Sequence, residues 1–263
     1  MRELPKRILA AILIIGPIVL LSLWHGGYVL LVFVMAISLG LLIEFRKTSR
    51  GILHDYQYII VLLLCWIWHI TIISLYPRPL SILLGAALII FLAETALEDT
   101  SRSLQRTSTA LFLFIYCGVL TSTIILVRRH GAFWAIMPAA MVWTADTFAY
   151  WGGSLTGKHK LARTISPNKT IEGFLWGIVG AFIVAWISST IRPDRNALAI
   201  WLCALSAGLA GQLGDLFESK IKRQFGIKDM GTLFPGHGGV WDRTDSLLWV
   251  YPLVWMVLLA NLY

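Results

Sequence analysis

The sequence predicts an all-α, polytopic integral membrane protein with about nine transmembrane helices. Three observations carry this prediction. First, 57% of the 263 residues are hydrophobic and only 14% are charged, whereas soluble domains carry about a quarter charged residues. Second, apolar runs recur from Ile8 to Trp255, and each approaches or exceeds the roughly 20 residues that a helix needs to cross about 30 Å of hydrocarbon. Third, the basic residues are biased toward one set of loops. No soluble domain, linker or tandem repeat interrupts the pattern, so a single transmembrane domain is expected over residues 1–263.

The first run, Ile8 to Trp24, follows the basic start Met1 to Arg7. It lacks a small-x-small cleavage site behind it and is therefore expected to be a retained span. The remaining spans are drawn at 28–45, 57–75, 80–97, 109–127, 132–151, 172–190, 197–217 and 246–262. Short connections bearing Gly or Pro, such as His25 to Gly27 and Tyr76 to Pro79, make tight turns between neighbours. Glu44 and Glu94, near span ends, are read as snorkelling or helix-pairing residues. Trp24, Trp151, Trp249 and Trp255 sit near span ends, where amphipathic rings favour the interface. Cys65, Cys117 and Cys203 are scattered through apolar runs, with no spacing that suggests a metal site or disulfide framework.

With a cytoplasmic N-terminus, five of the 22 Lys and Arg fall outside, Arg78, Arg128, Arg129, Arg192 and Arg195, and the other 17 fall inside, as the positive-inside rule requires. The net charge of +8 is explained by this placement, and no segment joins a basic cluster to a nucleic-acid-binding fold. The same orientation brings the two longest polar segments, Gly152 to Thr170 and Glu218 to Thr244, to the cytoplasmic side, so that residues of about 132–263 can build one site.

Asp146, in Trp143-Thr144-Ala145-Asp146, is an intramembrane carboxylate that costs roughly 3 kcal/mol or more and needs a partner or an aqueous cavity. Behind it, Gly152, Gly153, Gly157, Lys158 and His159 precede Ser166-Pro167-Asn168-Lys169-Thr170-Ile171-Glu172-Gly173, a mixture of glycines, hydroxyls and cations that suits an anion. Farther on, Asp215 ends one span while Asp242 and Asp245 begin the next, the latter pair sharing a helix face. Three carboxylates at one membrane depth offer the hard oxygen ligands that magnesium prefers. Lys222, Arg223, Lys228 and Arg243 add positive charge, and Gly236, Gly238 and Gly239 let backbone N–H groups approach a polyphosphate. The combination describes a metal-dependent nucleotide site. Asp242 and Asp245 are also where a helix N-terminus accepts acids for capping alone. His237 is compatible with a base, a phosphate hydrogen-bond donor, or a polar residue tolerated in a tight loop.

The stretch Ser219-Lys220-Ile221-Lys222-Arg223, Lys228-Asp229, Gly231, Pro235, His237-Gly238-Gly239, Asp242-Arg243 and Asp245 resembles the signature of the phosphatidate cytidylyltransferases. The Asp146 region and Ser166 to Gly173 resemble that family's second polar segment. Two positions depart: Asn168 stands where the family usually has Lys, and Trp241 is bulkier than the expected aliphatic residue. The resemblance implies a fold of many transmembrane helices, a homodimer, a magnesium requirement with potassium as a possible second cation, and CTP and phosphatidate as substrates. It also implies Asp215, Asp242 and Asp245 at the metal, with Lys222, Arg223 and Lys228 catalytic. Ser219, Asp229, His237, Gly238, Gly239, Arg243, Asp146, Ser166 and Lys169 are the expected substrate contacts. The expected reaction is transfer of CMP from CTP to phosphatidate, at the cytoplasmic face of a bacterial inner membrane. A CTP-dependent lipid kinase and an ion-coupled transporter are the rival readings, the latter lacking a clear internal repeat or paired broken helices.

Overall fold

The computed structural model describes residues 27–49, 51–74, 79–233 and 238–260. The first expected span, 8–24, lies outside them. Eleven α-helices follow in order: α1 Gly27–Thr48, α2 Asp55–Ser74, α3 Pro79–Thr95, α4 Ser103–Phe114, α5 Thr121–Arg129, α6 Ala132–Thr156, α7 Ile171–Ile191, α8 Ala197–Ser206, α9 Gln212–Gln224, α10 Trp241–Thr244 and α11 Leu247–Leu259. Two π-helical turns, Ile115–Leu120 and Ala207–Gly211, join α4 to α5 and α8 to α9. Among the described residues, five stretches are long and apolar enough to cross a membrane: Gly27–Thr48, Asp55–Ser74, Ser103–Arg128, Ile171–Ile191 and Ala197–Gln224. Large apolar side chains such as Leu175, Val179 and Trp186 of α7 stay exposed, which in water would be a liability and in lipid is the ordinary solvated state. The expected spans 80–97, 132–151 and 246–262 coincide with α3, α6 and α11, which are helical but fall outside those five.

The described residues divide into two compact units, 27–126 and 127–260. In the first, α1, α2, α3 and α4 are held by apolar packing and one buried polar knot. Glu94 at the end of α3 accepts from Gln57 Nε2 of α2 at 2.9 Å and from Arg106 Nε of α4 at 2.9 Å. Arg106 also pairs with Asp99 at 2.9 Å. Glu94 is thus a helix-pairing residue, one of the two roles the sequence allowed. His69 is wholly buried; its Nε2 lies 2.9 Å from Thr121 Oγ1 and 3.0 Å from the Gly118 carbonyl, while its Nδ1 has no hydrogen-bond partner among the described residues.

In the second unit, α6 and α7 form the closest helix pair, because small residues line the seam. A methyl group at Gly173 would lie 2.8 Å from the Ala149 carbonyl, and one at Gly180 2.8 Å from that of Thr144. Close backbone approach of this kind is how membrane helices gain packing without a hydrophobic driving force. Between α6 and α7 the chain makes a feature that an all-α expectation omits, an antiparallel hairpin of β1 Lys160–Ala162 and β2 Ser166–Thr170. The segment leaves α6 and returns in α7, and strand pairing satisfies backbone groups that would otherwise need water.

Candidate active site

Each polar segment is delivered by a local device. Thr170 caps α7, its hydroxyl accepting from the Gly173 N–H at 3.1 Å, the interaction that makes Thr a favourable N-cap. In the first turn, Glu172 accepts from the backbone N–H groups of Lys158 and His159 at 3.0 and 3.2 Å and from His159 Nδ1 at 2.6 Å. The hairpin is thereby clamped onto the N-terminus of α7, and β2 presents Lys169. On the other side, the Ala207–Gly211 π turn leads into α9. There Gln212 Nε2 donates to the carbonyls of Phe174 at 3.0 Å and Gly208 at 2.7 Å. This fixes the first turn of α9, where Asp215 sits, against α7.

The segment between α9 and α11 folds back on itself. Asp242 Oδ2 accepts from the backbone N–H groups of Gly239 at 2.7 Å and Met230 at 3.1 Å, while its Oδ1 takes Lys222 Nζ at 2.8 Å. Gly238 has a φ of +81°, and a methyl group there would lie 2.5 Å from Asp242 Oδ2. Only glycine fits both the left-handed backbone and the space. Arg223 Nε donates to the Ile165 carbonyl at 3.2 Å and its Nη1 to that of Ile227 at 2.8 Å, joining the hairpin tip to the chain beyond α9.

These devices enclose a cavity of about 660 Å³ lined by Asp146, Asn168, Lys169, Gln212, Asp215, Lys222, Asp229, Asp242, Arg243 and Asp245 together with small and apolar residues. Asp146 faces Asp215, Asp245, Lys169 and Arg243 across it, so this carboxylate has both a cavity and charged neighbours. Lys169 Nζ reaches Asp215 Oδ2 at 2.5 Å, with both side chains about one third exposed. Ser219, buried one turn after Asp215, points its hydroxyl at Asp215 Oδ1 across 3.4 Å. Ser166, Arg223, Lys228, Gly238 and Gly239 are not part of the lining. Gly238 and Gly239 instead shape the turn around Asp242. His237 lies outside the described residues.

Within the lining, the five carboxyls outnumber the three cations Lys169, Lys222 and Arg243. Clustered carboxylates in a partly dry cavity favour the uptake of a further cation, and oxygen donors suit magnesium. Among the described residues, however, no three Asp, Glu, His or Cys side chains stand close enough together to form a metal site. Asp242, expected as a ligand, has both oxygens engaged by Lys222 and by backbone N–H groups. Glu218 was missed by sequence reasoning. It is wholly buried beneath the cavity, 3.2 Å from Lys222 and facing Asp242 and Asp245. Its signal was the spacing Asp215, Glu218, Lys222, which puts all three on one face of a helix.

A sequence profile of the Cytidylyltransferase family matches residues 5–260. The chain belongs to the cytidylyltransferase family. Among the relatives of this cytidylyltransferase, a phosphatidate cytidylyltransferase of Staphylococcus haemolyticus is 36% identical over 95% of each chain. Proteins of the same name from Staphylococcus saprophyticus and Staphylococcus aureus are 40% and 39% identical; each match covers 65% of this chain and 66% of the relative. The cavity carboxylates all lie in the C-terminal half of the cytidylyltransferase, between Asp146 and Asp245.

Proposed function

We propose that this cytidylyltransferase makes CDP-diacylglycerol by transferring CMP from CTP to phosphatidate, with release of pyrophosphate, in phospholipid biosynthesis. The observation that carries the reading is the full-length kinship with a phosphatidate cytidylyltransferase, joined to a cavity dense in charge at the end of membrane-length helices. One wall of such a site must accept a water-soluble triphosphate while the other reaches hydrocarbon. A phosphate monoester has a second pKa near 6 and is largely dianionic at neutral pH, so the lipid phosphate is already a nucleophile and needs no dedicated base. Its oxygen attacks the α-phosphorus of CTP. A new P–O bond forms, the bond from the α-phosphorus to the bridging oxygen breaks, and the electron pair leaves on pyrophosphate.

Two polyanions repel, so the protein's contribution is positioning and charge compensation. Lys169 and Arg243 face the cavity and serve the lipid phosphate and the triphosphate. Arg223 and Lys228, exposed at the end of α9 and beyond it and outside the cavity lining, are assigned to the departing pyrophosphate, and Ser219 orients Asp215. Asp229, Ser166, Gly238 and Gly239 complete the surroundings, and His237 is assigned to phosphate contact. The proposed cofactor is magnesium, with potassium as a second cation. Asp215 and Asp245 would hold the magnesium, which neutralises and aligns reacting phosphate oxygens when bound. The proposed setting is one catalytic domain of about nine spans, working as a homodimer with its site on the cytoplasmic face of a bacterial inner membrane.

The deciding experiment incubates detergent-solubilised protein with phosphatidate, magnesium and CTP labelled at the α- and γ-phosphates. The expected result is α-label in lipid and γ-label in pyrophosphate. Entry of γ-label into lipid makes the protein a lipid kinase, and label that stays in CTP removes both readings.

A further inference from the structure

Lys222 stands in the signature where a cation for the polyphosphate is expected, yet its surroundings assign it elsewhere. Its Nζ lies between two carboxylates of the protein itself, 2.8 Å from Asp242 Oδ1 and 3.2 Å from Glu218 Oε1. Its side chain is 11% exposed, and those of Asp242 and Glu218 are 6% and 0% exposed. Glu218 comes from the same helix one turn earlier. Asp242 comes from 20 residues later and spends its other oxygen on the N–H groups of Met230 and Gly239. The ammonium therefore joins α9 to the folded-back segment that carries Gly239, Asp242, Arg243 and Asp245.

We infer that Lys222 is a positioning residue and that Glu218 is the buried counter-charge that holds it in place. A lysine already shared by two buried carboxylates has little charge left for an incoming phosphate. Withdrawing it would strand Glu218 and Asp242 without their cation in a site largely closed to water. Removing one partner of a buried ion pair is costly because it leaves such a charge, whereas replacing both partners together is often close to neutral. A cation that binds substrate obeys neither rule, since neutralising Glu218 does nothing to restore a lost phosphate contact.

This difference gives the test, which rests on the cytidylyl-transfer reading only for its activity arm. Glu218→Gln, Lys222→Gln and the double variant are compared with wild type for detergent-phase melting temperature, CTP binding without lipid, and kcat and KM for CTP. Neutral glutamines keep the size and can hydrogen-bond each other and Asp242. The expected outcome is that Lys222→Gln lowers the melting temperature and lowers kcat by about tenfold or more, with KM for CTP changed less than about threefold. The double variant, in which only Asp242 is left without its cation, then recovers a measurable part of both losses. The inference is overturned if Lys222→Gln melts like wild type while CTP binding weakens about tenfold or more, or if the double variant is no better than Lys222→Gln. Should Lys222→Gln not accumulate as folded protein, a folded, active double variant supports the inference. A double variant that is folded but blind to CTP, or that also fails to fold, overturns it. Melting temperatures keep their meaning whatever the wild-type protein does to phosphatidate, so failure of the reaction and failure of the clasp are told apart.

Discussion

Lys169 Nζ and Asp215 Oδ2 stand 2.5 Å apart, and this contact joins the hairpin to the first turn of α9 within the cavity lining. The pair is about one third exposed on each side, so solvent screens it and its share of stability is small. Its value is placement: the cation is held at the rim until a stronger anion competes for it. Lys169→Ala is expected to raise the KM for phosphatidate by about tenfold, the scale of one charged phosphate contact, with CTP binding intact. Mixed-micelle kinetics at varied mole fraction of phosphatidate check this. Unchanged dependence on lipid would remove Lys169 from the phosphate site.

Asp245 lies where α10 meets α11, facing Asp146 and Glu218 across the cavity wall. Asp245→Asn keeps the shape and deletes the charge. Turnover is expected to vanish while melting temperature and membrane insertion stay near wild type, and direct magnesium titration of the CTP-bound protein is expected to weaken. Near-normal turnover in this variant would sink the assignment of Asp245 to the metal.

Much of this architecture was legible beforehand. Span boundaries followed from hydropathy because lipid makes a continuous apolar run the condition for crossing, and α1, α2, α7 and α8 with α9 begin or end within a few residues of the expected limits. The sequence reading expected Asp215, Asp242 and Asp245 to converge, and the cavity lining brings those three together with Asp146. What composition hides is pairing. Asp242 and Asp245 read alike in sequence, yet the left-handed turn at Gly238 sends one toward backbone N–H groups and Lys222 and leaves the other beside Asp146. Glu218 was overlooked because i, i+4 acid and base pairs usually mark a solvated face, and only the fold shows that this one is buried. The hairpin at Lys160 to Thr170 escaped because three- and five-residue strands carry little periodicity.

Gly238 offers a test of the turn itself. At φ +81°, with Asp242 Oδ2 only 2.5 Å from where a methyl would sit, Gly238→Ala must either strain the backbone or push Asp242 off the Gly239 and Met230 N–H groups. A left-handed residue costs about 1–2 kcal/mol when it gains a Cβ, and the clash adds to that. Turnover is expected to fall about tenfold or more. The melting temperature should fall as well, because Asp242 is one end of the buried contact with Lys222. Wild-type activity in Gly238→Ala would show that the loop tolerates another path.

The buried knot of the first unit makes the opposite prediction, large in stability and small in chemistry. Glu94 and Arg106 are 6% and 3% exposed, and Glu94 also satisfies Gln57 of α2. Glu94→Ala leaves a guanidinium without its main carboxylate and an amide without its acceptor, and a broken ion pair of this kind destabilises because a charge is left uncompensated. The expected result is a markedly lower melting temperature, with kcat per folded molecule unchanged because Glu94 contributes nothing to the cavity around Asp146. Replacing Glu94 and Arg106 together by Leu and Met removes both charges, and it should recover much of the lost stability, since the desolvation of two ions disappears along with their attraction. A double variant as unstable as Glu94→Ala would mean that the contacts of Arg106 with Asp99, rather than the ion pair, hold α3 to α4.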